Sequence, residues 1–92
     1  MDQRKIVMNK EEIKVNNVTV YTTTRCPYCV MMKNFLTDKN IPFTEVNVEK
    51  DPLAMQKVVQ KTGQVGVPQT EVNGKWILGF DPDSVVSALN RN

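Results

Sequence analysis

Between Val18 and Val48 the hydrophobic period of the chain changes twice, from two to 3.6 and back to two, and this restricts the backbone more than any other feature. Val18-Thr19-Val20-Tyr21 is β-branched or aromatic throughout and alternates apolar with polar, as a strand with one wetter face does. Val30, Met31, Phe35 and Leu36 then recur at helical spacing until Asp38-Lys39-Asn40, and Pro42 forbids continuation. From Phe43 to Val48 the period is two again, with Phe43, Glu45 and Asn47 on one side and Thr44, Val46 and Val48 on the other. Strand, helix and strand in so short a span form a crossover unit, whose strands run parallel and whose connection is right-handed.

The remainder completes one sheet. Asp51 offers an N-cap, Pro52 sits where helices accept proline, Leu53, Met55, Val58 and Val59 supply an apolar stripe, and Gly63 is a natural stop. Pro68 opens a strand through Val72, and Asn73-Gly74 is a two-residue hairpin signal leading into Trp76-Ile77-Leu78. Asp81 can cap a last helix with Pro82 at its first position and Val85, Val86 and Leu89 facing inward. The order βαβαββα predicts an α/β three-layer sandwich: a mixed four-stranded sheet flanked by helices.

At 92 residues the chain has room for one domain, expected over 18–92, preceded by an arm over 1–17. The arm is polar and of mixed charge, with only Ile6, Val7, Met8, Ile13 and Val15 to pack, and is expected to be loosely held with a short helix at most. The net charge of +2, with both signs scattered, gives no reason to expect nucleic acid as a partner. No apolar run approaches the length of a membrane span and no signal-like apolar core follows Met1 to Lys5, so no membrane partner and a cytoplasmic address are expected.

Histidine is absent, which removes the commonest general base and the commonest metal ligand together. The two cysteines, Cys26 and Cys29, are too close to act as a secreted disulfide framework and read instead as a redox or metal pair. A thiolate, not a thiol, attacks disulfides, so a redox cysteine needs its anion stabilised. Cys26 lies at the junction of strand and helix, where unpaired amides and the positive end of the helix dipole meet, and Arg25 adds a neighbouring charge. Cys29 follows about one helical turn later, within disulfide reach and deeper against the helix, as a resolving thiol must be. Pro27 between them suits the first helical position and stiffens the loop. A structural zinc site needs four ligands, so no metal is expected in one chain; the rival reading is an iron–sulfur or metal carrier formed by two chains, each lending Cys26.

Cys26-Pro27-Tyr28-Cys29 is identical to the active-site motif of dithiol glutaredoxins, and the element order resembles their thioredoxin-like fold from about Val18 to the C-terminus. Thr62-Gly63-Gln64 followed by Val67-Pro68 looks like the segment in which glutaredoxins place a cis-proline, and Gly79-Phe80-Asp81 resembles their last glycine-containing turn. The resemblance implies a thiol–disulfide oxidoreductase acting on protein disulfides or mixed disulfides, with catalytic Cys26 and Cys29 and a loop of Arg25, Pro27 and Tyr28. It implies a thiol-binding set of Gln64, Val67, Pro68, Gly79, Phe80 and Asp81, in which a cis bond would set the Val67 backbone beside the sulfurs to pair with a substrate in strand fashion. No tightly bound cofactor is implied; glutathione or another low-molecular-weight thiol is the expected co-substrate, and a monomer the expected state.

Departures from the family bear on the electron donor. Glutaredoxins commonly carry lysine where this chain has Thr23, and a basic residue and threonine where it has Val65 and Gly66. Those cations hold glutathione's carboxylates, and charge-assisted bonds of that kind are each worth about 1.5–3 kcal/mol. Gly79-Phe80-Asp81-Pro82-Asp83 also resembles redoxins that take electrons from thioredoxin reductase and pass them to ribonucleotide reductase, although an arginine tends to stand there at the Asp81 position. Trp76 and Phe80 read first as core aromatics, Tyr28 as a contact beside an exposed sulfur, and Lys33 and Lys57 as solvated helix faces.

Overall fold

A computed structural model describes residues 16–89. Residues 1–15 of the arm expected over 1–17, with its short helix, lie outside the described residues, as do residues 90–92. Strand β1 (Val18–Thr22) is followed by α1 (Pro27–Asp38), β2 (Thr44–Asn47), α2 (Pro52–Thr62), β3 (Gln69–Val72), β4 (Lys75–Leu78) and α3 (Pro82–Leu89). The sheet order is β2-β1-β3-β4, with β1 parallel to β2 and antiparallel to β3, and β3 antiparallel to β4.

Local chemistry sets nearly every boundary. The Asp51 carboxylate accepts from the Ala54 N–H at 3.1 Å at the start of α2, and Gly63, in the left-handed region at φ 72°, ends it by donating to the Val59 carbonyl. Helix α1 ends on Asn40 at φ 58°, where Asn40 N–H bonds Thr37 O and Ile41 N–H bonds Leu36 O, a Schellman closure that asparagine tolerates. Asn73 and Gly74 both take positive φ, as a tight hairpin turn demands. Asn73 also accepts from Asn17 N–H at 2.8 Å and donates its side-chain amide to Asn16 at 2.9 Å, tying the last two residues before β1 to the β3–β4 turn.

The sheet separates two apolar clusters. On one face Val18, Val20, Val72 and Ile77 meet Met32 and Leu36 of α1 and Val85 and Ala88 of α3; on the other Tyr21 and Val48 meet Val58 of α2, with Trp76 stacked on Tyr21 at 5.3 Å between ring centroids. This is the three-layer sandwich, and no described helix is long and apolar enough to cross a membrane. Helix phase corrects three expectations. In α1 Met32 rather than Val30 or Met31 is buried, in α2 Leu53 is 75% exposed and Val59 also lies outside, and in α3 Val86 faces out beside buried Val85. Phe80 is half-buried against the first cluster, in keeping with the core reading of that aromatic.

The burial contrast within one residue type is testable. Leu36→Ala should lower unfolding free energy by about 2–5 kcal/mol in denaturant titrations, whereas Leu53→Ala should stay within about 0.5 kcal/mol of the parent.

Candidate active site

At the end of β1 the chain turns through Thr23, Thr24 and Arg25 into α1, and the β2–α2 connection holds this turn. Val48 N–H donates to Thr22 O at 2.8 Å, Thr24 N–H donates to Glu49 Oε1 at 2.9 Å, and the Asn47 side-chain amide donates to the Thr24 hydroxyl at 3.2 Å. Hydrogen bonds from the Thr24 hydroxyl and then its backbone N–H hold the Glu49 carboxyl below the ordinary glutamate range. Nearly two turns into the helix, Lys33 Nζ and, from β1, the buried Thr22 hydroxyl both donate to Glu45 Oε2 at 2.9 Å, and these bonds, Lys33's foremost, lower the Glu45 pKa. Lys33, with its side chain 30% exposed, is an ion-pair partner rather than a purely solvated face, whereas Lys57 is the solvated face expected, its side chain 50% exposed and its ammonium 3.6 Å from Glu71. Tyr21's hydroxyl first, and Glu71 after it, raise the Lys57 pKa.

Cys26 is the N-cap residue of α1, and its sulfur accepts the Cys29 N–H at 3.1 Å. Pro27 occupies the first helical turn, where its missing N–H costs nothing. Cys26 and Cys29 are disulfide-bonded with Cα atoms 5.1 Å apart, within the ordinary span of such a bond. The two sulfurs differ in access: Cys26 is partly exposed, whereas Cys29 is 1% exposed beneath the first turn. Arg25 and Tyr28 are exposed on either side, Tyr28 by 60%. Among the described residues no three His, Cys, Asp or Glu side chains form a metal-ligating group.

The Val67–Pro68 peptide bond is cis, and the Val67 carbonyl oxygen lies 3.7 Å from Cys26 Sγ. Gln64, Val67, Pro68 and Gly79 share the lining of one crevice of about 190 Å³ with Gly66, Gln69 and Leu78. Gly79 N–H closes its floor by donating to Pro68 O at 2.9 Å. Asp81 and Phe80 do not line it. The Asp81 carboxylate caps α3 through Ser84 N–H at 3.2 Å and the Ser84 hydroxyl at 2.7 Å.

Sequence reasoning missed Gln69, which is 1% exposed and donates its amide to both Gln64 O at 3.0 Å and Gly66 O at 2.9 Å. Those two carbonyls fix the orientation of the amide, because a flip would press oxygen against oxygen. It also missed Glu49 and Leu78. A buried amide after a proline has no sequence signal of its own, because its partners are main-chain atoms of a loop.

A redox-spaced cysteine pair capping the helix after the first strand, with a cis-proline against the sulfur, defines a thioredoxin-like thiol–disulfide site. The chain belongs to the glutaredoxin family, whose model matches residues 18–77. It is 36% identical over 74 residues to an uncharacterised glutaredoxin-like 8.6 kDa protein of the rubredoxin operon in Clostridium pasteurianum, covering 80% of this chain and 99% of that one. It is 31% identical over 65 residues to glutaredoxin 3 of Escherichia coli K12, covering 71% of this chain and 78% of that one. Among solved structures, the glutaredoxin of Methanosarcina mazei superposes with a TM-score of 0.72 at 28% identity, covering 80% of this chain and 78% of that one. Family and cysteine pair together make thiol–disulfide redox chemistry the general activity of this site.

The Glu49 clasp carries a pH dependence. A carboxyl whose folded pKa is depressed contributes its full stability above the unfolded value, ordinarily 4.5, and loses it as pH falls through the folded value. Glu49→Gln should therefore lower Tm slightly at pH 7, and the difference from the parent should shrink as pH falls below the unfolded value and through the depressed folded one, in thermal melts across pH.

Proposed function

We propose that the chain reduces disulfides in proteins, or protein mixed disulfides, with Cys26 as attacking sulfur and Cys29 as resolving sulfur. The observation that carries this reading is the unequal placement of the pair, Cys26 partly exposed at the helix cap and Cys29 buried behind it. In the dithiol form the Cys26 thiolate attacks the substrate disulfide, one substrate sulfur becomes bonded to Cys26, and the other leaves as thiolate. Cys29 then loses its proton and attacks the Cys26 sulfur. The substrate leaves as its second thiolate, two electrons have passed to it, and the protein retains the Cys26–Cys29 disulfide. The Cys29 N–H that now faces Cys26 Sγ at 3.1 Å supports this assignment, since an amide aimed at that sulfur stabilises its anion.

For the return to dithiol we assign a flavoprotein reductase such as thioredoxin reductase ahead of glutathione. The crevice beside the sulfur has no charged residue in its lining, so it provides no cation for glutathione's carboxylates. Ribonucleotide reductase is one disulfide-bearing partner of the class this chemistry serves. The assigned compartment is the cytoplasm, where thiols are kept reduced, and the assigned working unit is a monomer.

Two measurements test the reading. Cys26→Ser should abolish reduction of a protein disulfide, and Cys29→Ser should accumulate a mixed disulfide visible by mass spectrometry; full activity in Cys26→Ser overturns the choice of nucleophile. NADPH consumption by oxidised protein should be faster with thioredoxin reductase than with glutathione and glutathione reductase, and the reverse order overturns the donor.

A further inference from the structure

Beside the reactive sulfur, the crevice between the 64–67 loop and the end of β4 combines three properties. Its volume, about 190 Å³, lies below the ~300–1,000 Å³ of sites that enclose whole small-molecule ligands. Its lining is uncharged, and one wall is Leu78, an aliphatic side chain left 51% exposed. It begins at Val67, whose carbonyl is 3.7 Å from Cys26 Sγ and whose N–H and C=O take no backbone partner among the described residues. Val65, 66% exposed, is the residue between Gln64 and Gly66 of the lining and is not itself part of it.

A peptide laid along Val67 with its cysteine at Cys26 projects alternate side chains to opposite faces, so one side chain within two positions of that cysteine passes over the crevice. The opening accommodates one such side chain and has no charge to reward an ionised one. Gln69 keeps the shape fixed, because its amide ties Gln64 and Gly66 together from beneath. From this geometry we infer that the crevice is a specificity subsite for an aliphatic residue flanking the substrate's cysteine, with Leu78 as its selecting side chain. The inference rests on the disulfide-reductase reading above and narrows its substrate class to polypeptide disulfides with apolar flanks.

The experiment mixes dithiol protein with disulfide-linked homodimers of one short peptide whose single cysteine is flanked by Leu, Ser or Glu, and follows release of peptide thiol by chromatography in a single turnover. The Leu peptide should react on the order of tenfold faster than the Ser peptide, the usual discrimination of a small apolar pocket. Leu78→Lys should reduce that advantage to under twofold and raise the rate with the Glu peptide. Val86→Lys, an equal change at an exposed valine of α3, should leave all three rates as they were. Equal rates for all peptides, an unchanged preference in Leu78→Lys, or faster reaction with oxidised glutathione than with the Leu peptide would each overturn the subsite while sparing the reductase reading. Failure to reduce any disulfide overturns the reductase reading itself.

Discussion

A helix must satisfy its first amide groups with something, and in α1 the atom that does so is the sulfur of Cys26. Ser, Thr, Asp or Asn usually fill that position, as Asp51 and Asp81 do for the other two helices. Giving the cap to cysteine makes one atom both the terminator of a helix and the centre of exchange chemistry. A disulfide sulfur is a weak acceptor, whereas a thiolate in the same place takes up the amide bond and the dipole fully, so breaking the disulfide strengthens the helix start instead of exposing it. The first turn of α1 has no acidic side chain to compete for those amides.

That arrangement needs a backbone that does not drift. The turn before Cys26 is clasped by Glu49 and Asn47 from the next connection, while the approach from the other side is fixed by the register of Tyr21 with Gln69 and of Gln69 with Leu78. Residue 69 is the first of β3, so its main chain belongs to the sheet while its side chain reaches back to hold the loop that carries Val67. Sheet order and loop shape are thus joined in one buried glutamine. Both hydrogens of that amide are used, which offsets part of the cost of burying it, while its oxygen Oε1 is buried without a partner among the described residues.

The elements with local chemical causes could be read from the chain. Asp51, Gly63, the Asn73-Gly74 turn and Asp81 act through main-chain atoms within a few residues, so their effect is written next to them. The cysteine pair was equally plain, since its spacing and its place at a strand-to-helix junction are both linear features. Helix phase was less so: Val30, Met31 and Met32 are similarly apolar, and only the angle at which α1 meets Val20 and Val72 decides that Met32 goes in. Glu45, Glu49 and Gln69 were illegible because their partners lie across the sheet or along a loop, and nothing in a polar side chain's neighbours announces a distant acceptor.

Asp81 shows how a residue's structural duty bears on its availability for chemistry. Its two oxygens each receive one bond from Ser84, which secures the start of α3 and hence the burial of Val85 and Ala88. An ionised carboxylate has about four lone-pair positions, so this duty occupies roughly half of them. The remaining positions face solvent, since Asp81 is exposed. The cap holds the carboxylate in one orientation. Cys26 follows the same economy: a side chain already held in place by a helix terminus gives its remaining valence to chemistry with little further ordering.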